Sequence, residues 1–448
     1  MIVDGVVVWG LVARILGALF LLAHASIAPQ LLSACGSKGV TPIATKLAML
    51  RENFGPRRFI EEPTLLWISS SDAMIRALNY AGILGALWSV AGGPYASIGL
   101  LAAWLAYLSL VDAAGLTFPW DSMLLEAGFL GLFLPSTNLL PDIAATTSPS
   151  PVAAFAMQWL LVRVMWGFAK VKFIGTKPGD ALYLQSFFVW LPVPNPLGLA
   201  LSRAPAWCHK ASLAFMFVAE VVAPGLVLVP GTPRLIGGAL LVALMIGIHV
   251  TGNWGFFNVA YAALCVCFLD VDTTALTAMH ATYSAADVVV VVACAASIVQ
   301  LLAFNTWVAR SWVHWPLFDV LRRKRGVAGV VVAVVVDFFR VLVGLRLVNA
   351  YGVFPPNSQS PLRLTPLFEL SDDDGKTWRR ARYRFLPSDE RDRAPVVAPH
   401  HPRLDHAVIY AGGGLSDSSL VGGLVGFGLP HMSYLRFGAL DRFAPHLL

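Results

Sequence analysis

The stretch VAAFAMQWLLVRVMWGFAKVKF (Val152–Phe173) decides the fold class of this chain. It is long enough to cross a hydrocarbon layer of about 30 Å as a helix, which takes about 20 residues. Its apolar residues are continuous and do not alternate with polar ones. A bilayer leaves no backbone polar group unsatisfied, so helix is the expected spanning form. The stretch therefore predicts a transmembrane helix.

The composition agrees with this interpretation along the whole chain. Hydrophobic residues make up 57% of the 448 residues and charged residues only 13%, whereas about a quarter of a soluble domain is charged. Nine further apolar runs resemble the first and bring the predicted count to about ten. These runs are Val6–Ala25, Arg76–Val90, Tyr95–Leu110, Ser122–Leu134, Ala211–Val229, Leu235–Val250, Trp254–Leu269, Ala285–Phe304 and Val327–Leu347. The sequence predicts an all-α polytopic membrane protein over residues 1–348.

Basic residues predict the sidedness of these spans. They gather in three loops, at 46–58, 170–210 and 310–325. Ten spans place these loops on one side of the membrane, which the positive-inside rule makes the cytosol or the mitochondrial matrix. The tail after Asn349 lies one span further and is predicted to face the opposite side.

Residues 349–448 are predicted to form a small β-rich extramembrane domain that ends in a glycine-rich tail. Leu364–Leu370 and Trp378–Phe385 have strand-like composition, and the acidic segment between them, with Asp373 and Gly375, is typical of a hairpin turn. The motif PRLD (Pro402–Asp405) follows. Its charged residues are expected to fix the segment against the hairpin, with either fold maintenance or client docking as the purpose.

Several charged residues fall in or beside the apolar runs, where each costs a few kcal/mol unless it faces protein and finds a partner. Opposite charge and similar depth favour a pair between Glu126 and Arg163, and a pair between Glu220 and either Lys170 or Lys172. Structural ion pairs are the first interpretation; a polar cavity for a lipid headgroup or small ligand, and proton transfer, are the alternatives. The candidate intramembrane polar contacts are Asp121, Glu126, Arg163, Lys170 and Glu220.

Six motifs in a fixed order carry a resemblance to a known family. They are PTLLW (Pro63–Trp67), WDSMLLEAGFL (Trp120–Leu130), the weaker FAKVK (Phe168–Lys172), PVPNPL (Pro192–Leu197), TGNWGFFN (Thr251–Asn258) and APHHPRLD (Ala398–Asp405). Together they resemble the lipase maturation factor family, membrane proteins of the endoplasmic reticulum that help secreted lipases to fold. The candidate interaction or structural residues are therefore Asp373, Gly375, Trp378, His400, Pro402, Arg403 and Asp405. The chain departs from the family's pattern after Asp405, where a glycine-rich stretch begins.

The resemblance implies a non-catalytic factor that acts by protein contact on lipase-type clients in the endoplasmic reticulum. An alternative is an accessory structural subunit of a large membrane complex, for example in the mitochondrial inner membrane. No H-E-x-x-H or C-x-x-C motif is present, so the sequence predicts no metal and no catalytic site. The expected partners are membrane lipids, including bound phospholipids, and proteins; no cofactor and no nucleic acid are expected.

Overall fold

Long apolar helices form most of the structure. The computed structural model describes residues 5–112, 117–134, 149–175, 183–303, 327–352, 369–374, 376–389 and 391–406. In chain order the helices are α1 (Gly5–Ile27), α2 (Leu31–Cys35), α3 (Ile43–Phe54), α4 (Arg58–Glu61), α5 (Asp72–Ala91), α6 (Ala96–Val111), α7 (Pro119–Gly131), α8 (Pro151–Gly175), α9 (Tyr183–Trp190), α10 (Pro196–Leu201), α11 (Ala206–Phe217), α12 (Ala223–Val227), α13 (Thr232–Thr251), α14 (Phe257–Leu264), α15 (Ala275–Met279), α16 (Ala285–Ala303) and α17 (Val327–Gly344).

Six helices in the described part of the chain are long and apolar enough to cross a membrane. They are Gly5–Cys35, Asp72–Ala91, Pro151–Lys170, Ala206–Val227, Thr232–Thr251 and Ala285–Leu302. The chain is thus an integral membrane protein, but the predicted ten spans are not confirmed. The prediction counted α7, which has 13 residues, as a span. Because α7 is buried inside the protein along nearly its whole length, its apolar residues belong to a core and not to a lipid-facing surface.

A π-helical turn interrupts the span that contains α11 and α12. The turn covers Val218–Val222 and places the buried Glu220 at the irregular position. Pro224 follows in the first turn of α12. Proline has no backbone N–H, so in a regular helix the carbonyl four residues earlier would lose its hydrogen-bond partner. Such π-turns are frequent at functional sites, and this one directs a carboxylate into the protein.

Glycine allows α5 and α6 to approach each other closely. A Cβ added at Gly85 would lie 2.6 Å from the carbonyl oxygen of Gly99, and one added at Gly99 would lie 2.7 Å from that of Gly85. Helix α1 packs on this hairpin through His24, whose ring nitrogens contact the side chain of Asn79 at 3.0 Å and the carbonyl of Ala103 at 3.1 Å. Helices α1, α6 and α8 pack against the buried α7.

The first basic loop and the start of the tail lie at the same end of the helical domain. Lys46 Nζ is 3.1 Å from Glu62 and also donates to the backbone carbonyl of Asp112. Arg346, just after α17, pairs with the carboxylate of that same Asp112 at 2.6 Å. The prediction that this loop and the tail lie on opposite sides is therefore wrong. With ten spans, the chain would cross the membrane an odd number of times between the first basic loop and the tail. Two segments at the same end of the helices require an even number of crossings.

The tail contains little β structure in its described part. Strands β1 (Glu369–Leu370) and β2 (Arg379–Arg380) form one antiparallel pair, with Glu369 opposite Arg380. The β-rich domain is thus not confirmed, and most described tail residues adopt turns and extended backbone. The domain boundary at residue 349 stays a prediction.

Candidate functional site

The C-terminal segment 395–406 is seated on the helical domain. This segment and the helix ends that it contacts form the tail junction. Residues 401–406 are all buried, although this segment follows the last long apolar run by about fifty residues. The tail junction contains the motif PRLD (Pro402–Asp405).

Arg403 is the central residue of the tail junction. Its side chain is fully buried and forms two hydrogen bonds to the carboxylate of Asp121, at 2.7 and 2.8 Å. The hydroxyl of Tyr107 lies 3.0 Å from the guanidinium and donates to Asp121 at 2.6 Å. Bidentate arginine–carboxylate pairs combine strength with fixed geometry. Arg403 therefore joins the end of the described chain to α7.

The start of α7 explains why Asp121 points to this position. Pro119 occupies the first turn, where a missing N–H costs nothing. Asp121 accepts a hydrogen bond from the backbone N–H of Phe118 at 2.8 Å, which is the reciprocal contact of a helix cap. The carboxylate thus stabilises the helix start and binds Arg403 at the same time.

The C-terminal end of α1 supplies a second set of contacts. The Ser26 hydroxyl accepts from the backbone N–H of His401 at 2.9 Å and lies 3.2 Å from His400 Nδ1. The Gln30 amide donates to the carbonyl of His401 at 2.8 Å and accepts from the N–H of Arg403 at 2.7 Å. These side chains pair the backbone of the segment much as a neighbouring strand would.

Asn253, between α13 and α14, holds the segment from the other side. Its amide donates to the carbonyls of Pro194 and Pro395, at 2.9 and 2.8 Å. Its carbonyl oxygen accepts from the N–H groups of Val397 and Ala398, at 2.9 and 3.2 Å. The turn between α13 and α14 therefore also binds the tail.

Two buried histidines pack beneath the segment. His401 Nε2 lies 2.9 Å from His406 Nδ1, and the His401 ring meets Phe118 edge-on at 4.4 Å. Gly255 has a φ of +58°, and a Cβ there would lie 2.8 Å from His401. Burial lowers the pKa of His406 to about 3, and burial also lowers the pKa of His401 well below its usual value. Both rings are therefore neutral at physiological pH.

Asp405 faces the hairpin side of the tail. It accepts a hydrogen bond from the N–H of Phe385 at 3.2 Å, and burial raises its pKa to about 6. The expected contact between PRLD and the hairpin region is thus made by Asp405. The expectation for Arg403 is corrected, because its guanidinium contacts α7 and α6 instead.

A second buried network links the start of the tail to the middle of the helical domain. Glu126 and Arg163 form a salt bridge, the pairing suggested by their charge and depth. Glu126 also accepts from the side chain of Asn349 at 3.1 Å and from the hydroxyl of Tyr351 at 2.8 Å. Tail residues therefore complete this network as well.

A third buried pair lies further from the tail. Lys172 forms a salt bridge with Glu220 in the π-turn. Lys170, the other partner considered from sequence, donates to the carbonyl of Leu301 at 2.9 Å. Asp121 and Glu126 thus serve separate networks, and Glu220 belongs to a third.

The predicted hairpin turn lies apart from these networks. Asp373 is half-buried, and hydrogen bonds from the side chain and backbone of Thr377, at 2.6 and 2.8 Å, lower its pKa to about 2. Trp378 is 61% exposed. Gly375 lies outside the described residues. The turn is a surface feature that the tail junction holds in place.

The arrangement fixes one segment of chain to a membrane domain. Its charges are buried and paired, and no group of three metal-binding side chains occurs among the residues that the structure describes. Sequence reasoning missed Ser26, Gln30, Tyr107 and Asn253. Ser26 and Gln30 stand near the end of an apolar run, where helix capping explains them equally well. Asn253 lies in the motif TGNWGFFN (Thr251–Asn258), but nothing in that motif indicates a contact with the tail.

Comparisons with known proteins agree with this architecture. Residues 8–276 match the family described as the lipase maturation factor transmembrane domain. Lipase maturation factor 1 of Bos taurus is 27% identical over 398 residues, which cover 84% of this chain and 70% of that protein. Lipase maturation factor 1 of Homo sapiens is 25% identical over 401 residues, with coverage of 84% and 69%. Lipase maturation factor 2 of Xenopus tropicalis is 24% identical, with coverage of 90% and 70%.

No solved structure matches the chain. The family match covers more than half of the sequence and includes α7, which carries the carboxylate that binds the tail. The chain therefore belongs to the lipase maturation factor family.

Proposed function

We propose that this protein assists the folding or assembly of lipase-type secreted clients by direct contact, from the membrane of the endoplasmic reticulum and without catalysing a reaction. Family membership supports this role, since the relatives are named lipase maturation factors. The alternative, a structural subunit of a larger membrane complex, receives no support from the comparisons.

The buried pair between Arg403 and Asp121 is the observation that carries the proposal. It holds the tail at one end of the helical domain and so fixes the orientation of the tail's outer face. The described part of the tail exposes two large apolar side chains, Trp378 at 61% and Val396 at 73%. Exposed aromatic and aliphatic side chains on a rigid support suit binding of partly folded clients, which expose apolar surface.

Co-expression with a secreted lipase tests the proposal. In cells that lack their own family members, the wild-type protein is expected to raise lipase activity in the medium and to retain the lipase on affinity capture. Trp378→Ser and Val396→Ser should reduce both readouts at unchanged abundance. Leu276→Ser is the matched control, because Leu276 is 66% exposed in α15, away from the tail junction. A wild-type protein present in the membrane that changes neither readout contradicts the proposal.

A further inference from the structure

A cavity of about 320 Å³ lies within the helical domain, and Pro119 and Trp120, which precede Asp121 in α7, form part of its wall. Its walls are mainly aromatic and aliphatic, with side chains from α8, α9, α11, α13 and α14. They include Phe168, Phe187, Phe215, Met216, Leu244 and Trp254. This size and this apolar lining are typical of small-molecule sites, in which a few polar groups set the ligand's orientation.

Two buried side chains that line the cavity have polar groups without a partner. Asn258 lines it and is 1% exposed, yet neither polar atom of its side chain has a hydrogen-bond partner among the described residues. Glu220 lines it too, and its Oε2 is equally unpartnered there, whereas its Oε1 binds Lys172. Leaving buried polar groups unpaired is unfavourable. An amide and a carboxylate oxygen that line the same cavity suit a ligand end that both donates and accepts hydrogen bonds.

The charges at this position compensate each other. Lys172 and Glu220 form a salt bridge, so the pair has no net charge. A phosphate or a quaternary ammonium group would lose its hydration here without gaining a counter-charge, which is costly. An uncharged hydroxyl avoids this cost.

The side of the cavity between α11 and α13 faces the membrane. Ser212 and Phe215 on α11, and Gly247 on α13, line the cavity and are exposed at the protein surface. Both helices belong to candidate membrane spans, so their exposed faces contact lipid. A Cβ added at Gly247 would meet nothing within 4 Å. The gap beside Gly247 is therefore an opening toward the bilayer.

We propose that this cavity binds a neutral membrane lipid with a hydroxyl-bearing polar group, of the diacylglycerol type, which enters from the bilayer between α11 and α13. The part of an acyl chain next to the glycerol lies against the aromatic walls, and the rest of the chains extends through the opening into the bilayer. Its hydroxyl donates to Glu220 and accepts from the amide of Asn258. The site is separate from client binding, so the experiment that tests it does not depend on the proposed function.

Photoaffinity labelling of the full chain in phosphatidylcholine nanodiscs tests this site. The probes are a diacylglycerol and a phosphatidylcholine that carry the same diazirine in the acyl chain, and labelled peptides are mapped by mass spectrometry. The diacylglycerol probe should label α11 and α13 at the cavity about fivefold more strongly, or better, as expected for one additional hydrogen-bonded contact. Equal labelling by the two probes would overturn the proposal.

Two variants separate binding from folding. Gly247→Phe closes the opening and should lower cavity labelling about fivefold or more, while Gly225→Phe, at a glycine in α12 whose Cβ would also meet open space, should not. Asn258→Leu should lower labelling without lowering the melting temperature of the probe-free protein, because it removes an unpartnered buried amide. Wild-type labelling in Gly247→Phe, or a lower melting temperature of Asn258→Leu, would refute the assignment.

Discussion

Arg403 and Asp121 stabilise the protein only as a pair. Removing one partner of a buried pair leaves the other charge desolvated, which typically costs about 3–5 kcal/mol. Arg403→Leu should therefore lower the free energy of unfolding by about this amount. The double variant Arg403→Leu with Asp121→Asn should lose less than the sum of the single losses, because the two residues are in direct contact.

Thermal unfolding of the purified variants in mild detergent measures these losses. The control is Arg379→Leu, since Arg379 and Asp372 form a pair whose side chains are 71% and 79% exposed. That change should cost less than about 1 kcal/mol. Additive losses for Arg403 and Asp121 would show that the two side chains are not coupled.

The buried histidines make the tail junction sensitive to acid. The pKa of His406 is about 3 in the folded protein, below the usual value of 6.5, so the unfolded chain binds the proton first as the pH falls. Stability is complete above about pH 6.5 and decreases toward pH 3. At pH 5 the loss from this residue is about 2 kcal/mol. His406→Gln should thus reduce the drop in melting temperature between pH 7.5 and pH 5.

Asp405 has the opposite effect on pH dependence. Its pKa is raised to about 6 from 3.8, so the folded protein keeps a proton that the unfolded chain has lost, and stability decreases as the pH rises from about 4 to 6. Asp405→Asn removes this opposing titration and should enlarge the drop on acidification. An identical drop in wild type, His406→Gln and Asp405→Asn would show that neither side chain controls it.

Sequence reasoning identified most charged residues of these networks but only some partners. Glu126 and Arg163 could be paired because both stand within long apolar runs and have opposite charges. Arg403 could not be assigned to Asp121, since 282 positions separate them and the motif PRLD lies in a polar tail. Only the three-dimensional path of the tail brings the two together.

Among the elements, α17 carries the most direct test of topology. Its 18 residues separate the arginine-rich stretch around Arg323 from the tail. Cysteines introduced near Arg323 and near Asp373 should therefore show opposite accessibility to an impermeant reagent in sealed vesicles. A cysteine near Arg57 should behave like the one near Asp373, because Lys46 and Arg346 both contact Asp112 at one end of the helices.

Lysis of the vesicles by detergent is the control, since it should make all three cysteines reactive. Matching reactivity at Arg323 and Asp373 before lysis would show that α17 does not cross the membrane. Opposite reactivity at Arg57 and Asp373 would contradict the shared end of the helical domain.

Hydropathy predicted correctly that the elements are helices, but it did not predict how many of them span the membrane. Continuous apolar runs indicated helices, and each of the ten predicted runs overlaps a helix. Length separates the six candidate spans from the shorter apolar helices Ala96–Val111 and Phe257–Leu269, and where a helix ends is decided by the fold. The apolar residues of α7 face protein on all sides, so its sequence resembles a short span although it is a core helix.

At the scale of the whole molecule, the tail completes the helical domain. A chain truncated after Gly352 keeps Asn349 and Tyr351 for Glu126 but loses Arg403 for Asp121. It should still insert into membranes, because α17 ends before this point. Its melting temperature should fall, and Asp121→Asn in the truncated chain should restore part of the loss by removing the unpaired charge. Membrane extraction tests insertion, and thermal unfolding measures the melting temperature. A truncated chain as stable as the full one would show that the tail does not stabilise the helical domain.

The pairing of Arg403 with Asp121 also has a consequence for biosynthesis. The carboxylate enters the membrane early, but its partner is made 282 residues later, which at ribosomal rates of about 5–20 residues per second is a delay of about 15 to 60 seconds. During this interval the nascent protein contains an acidic group at a helix start with no countercharge from the tail. An incomplete translation product therefore differs chemically from the finished protein, because its Asp121 carboxylate lacks the arginine that pairs with it in the complete fold.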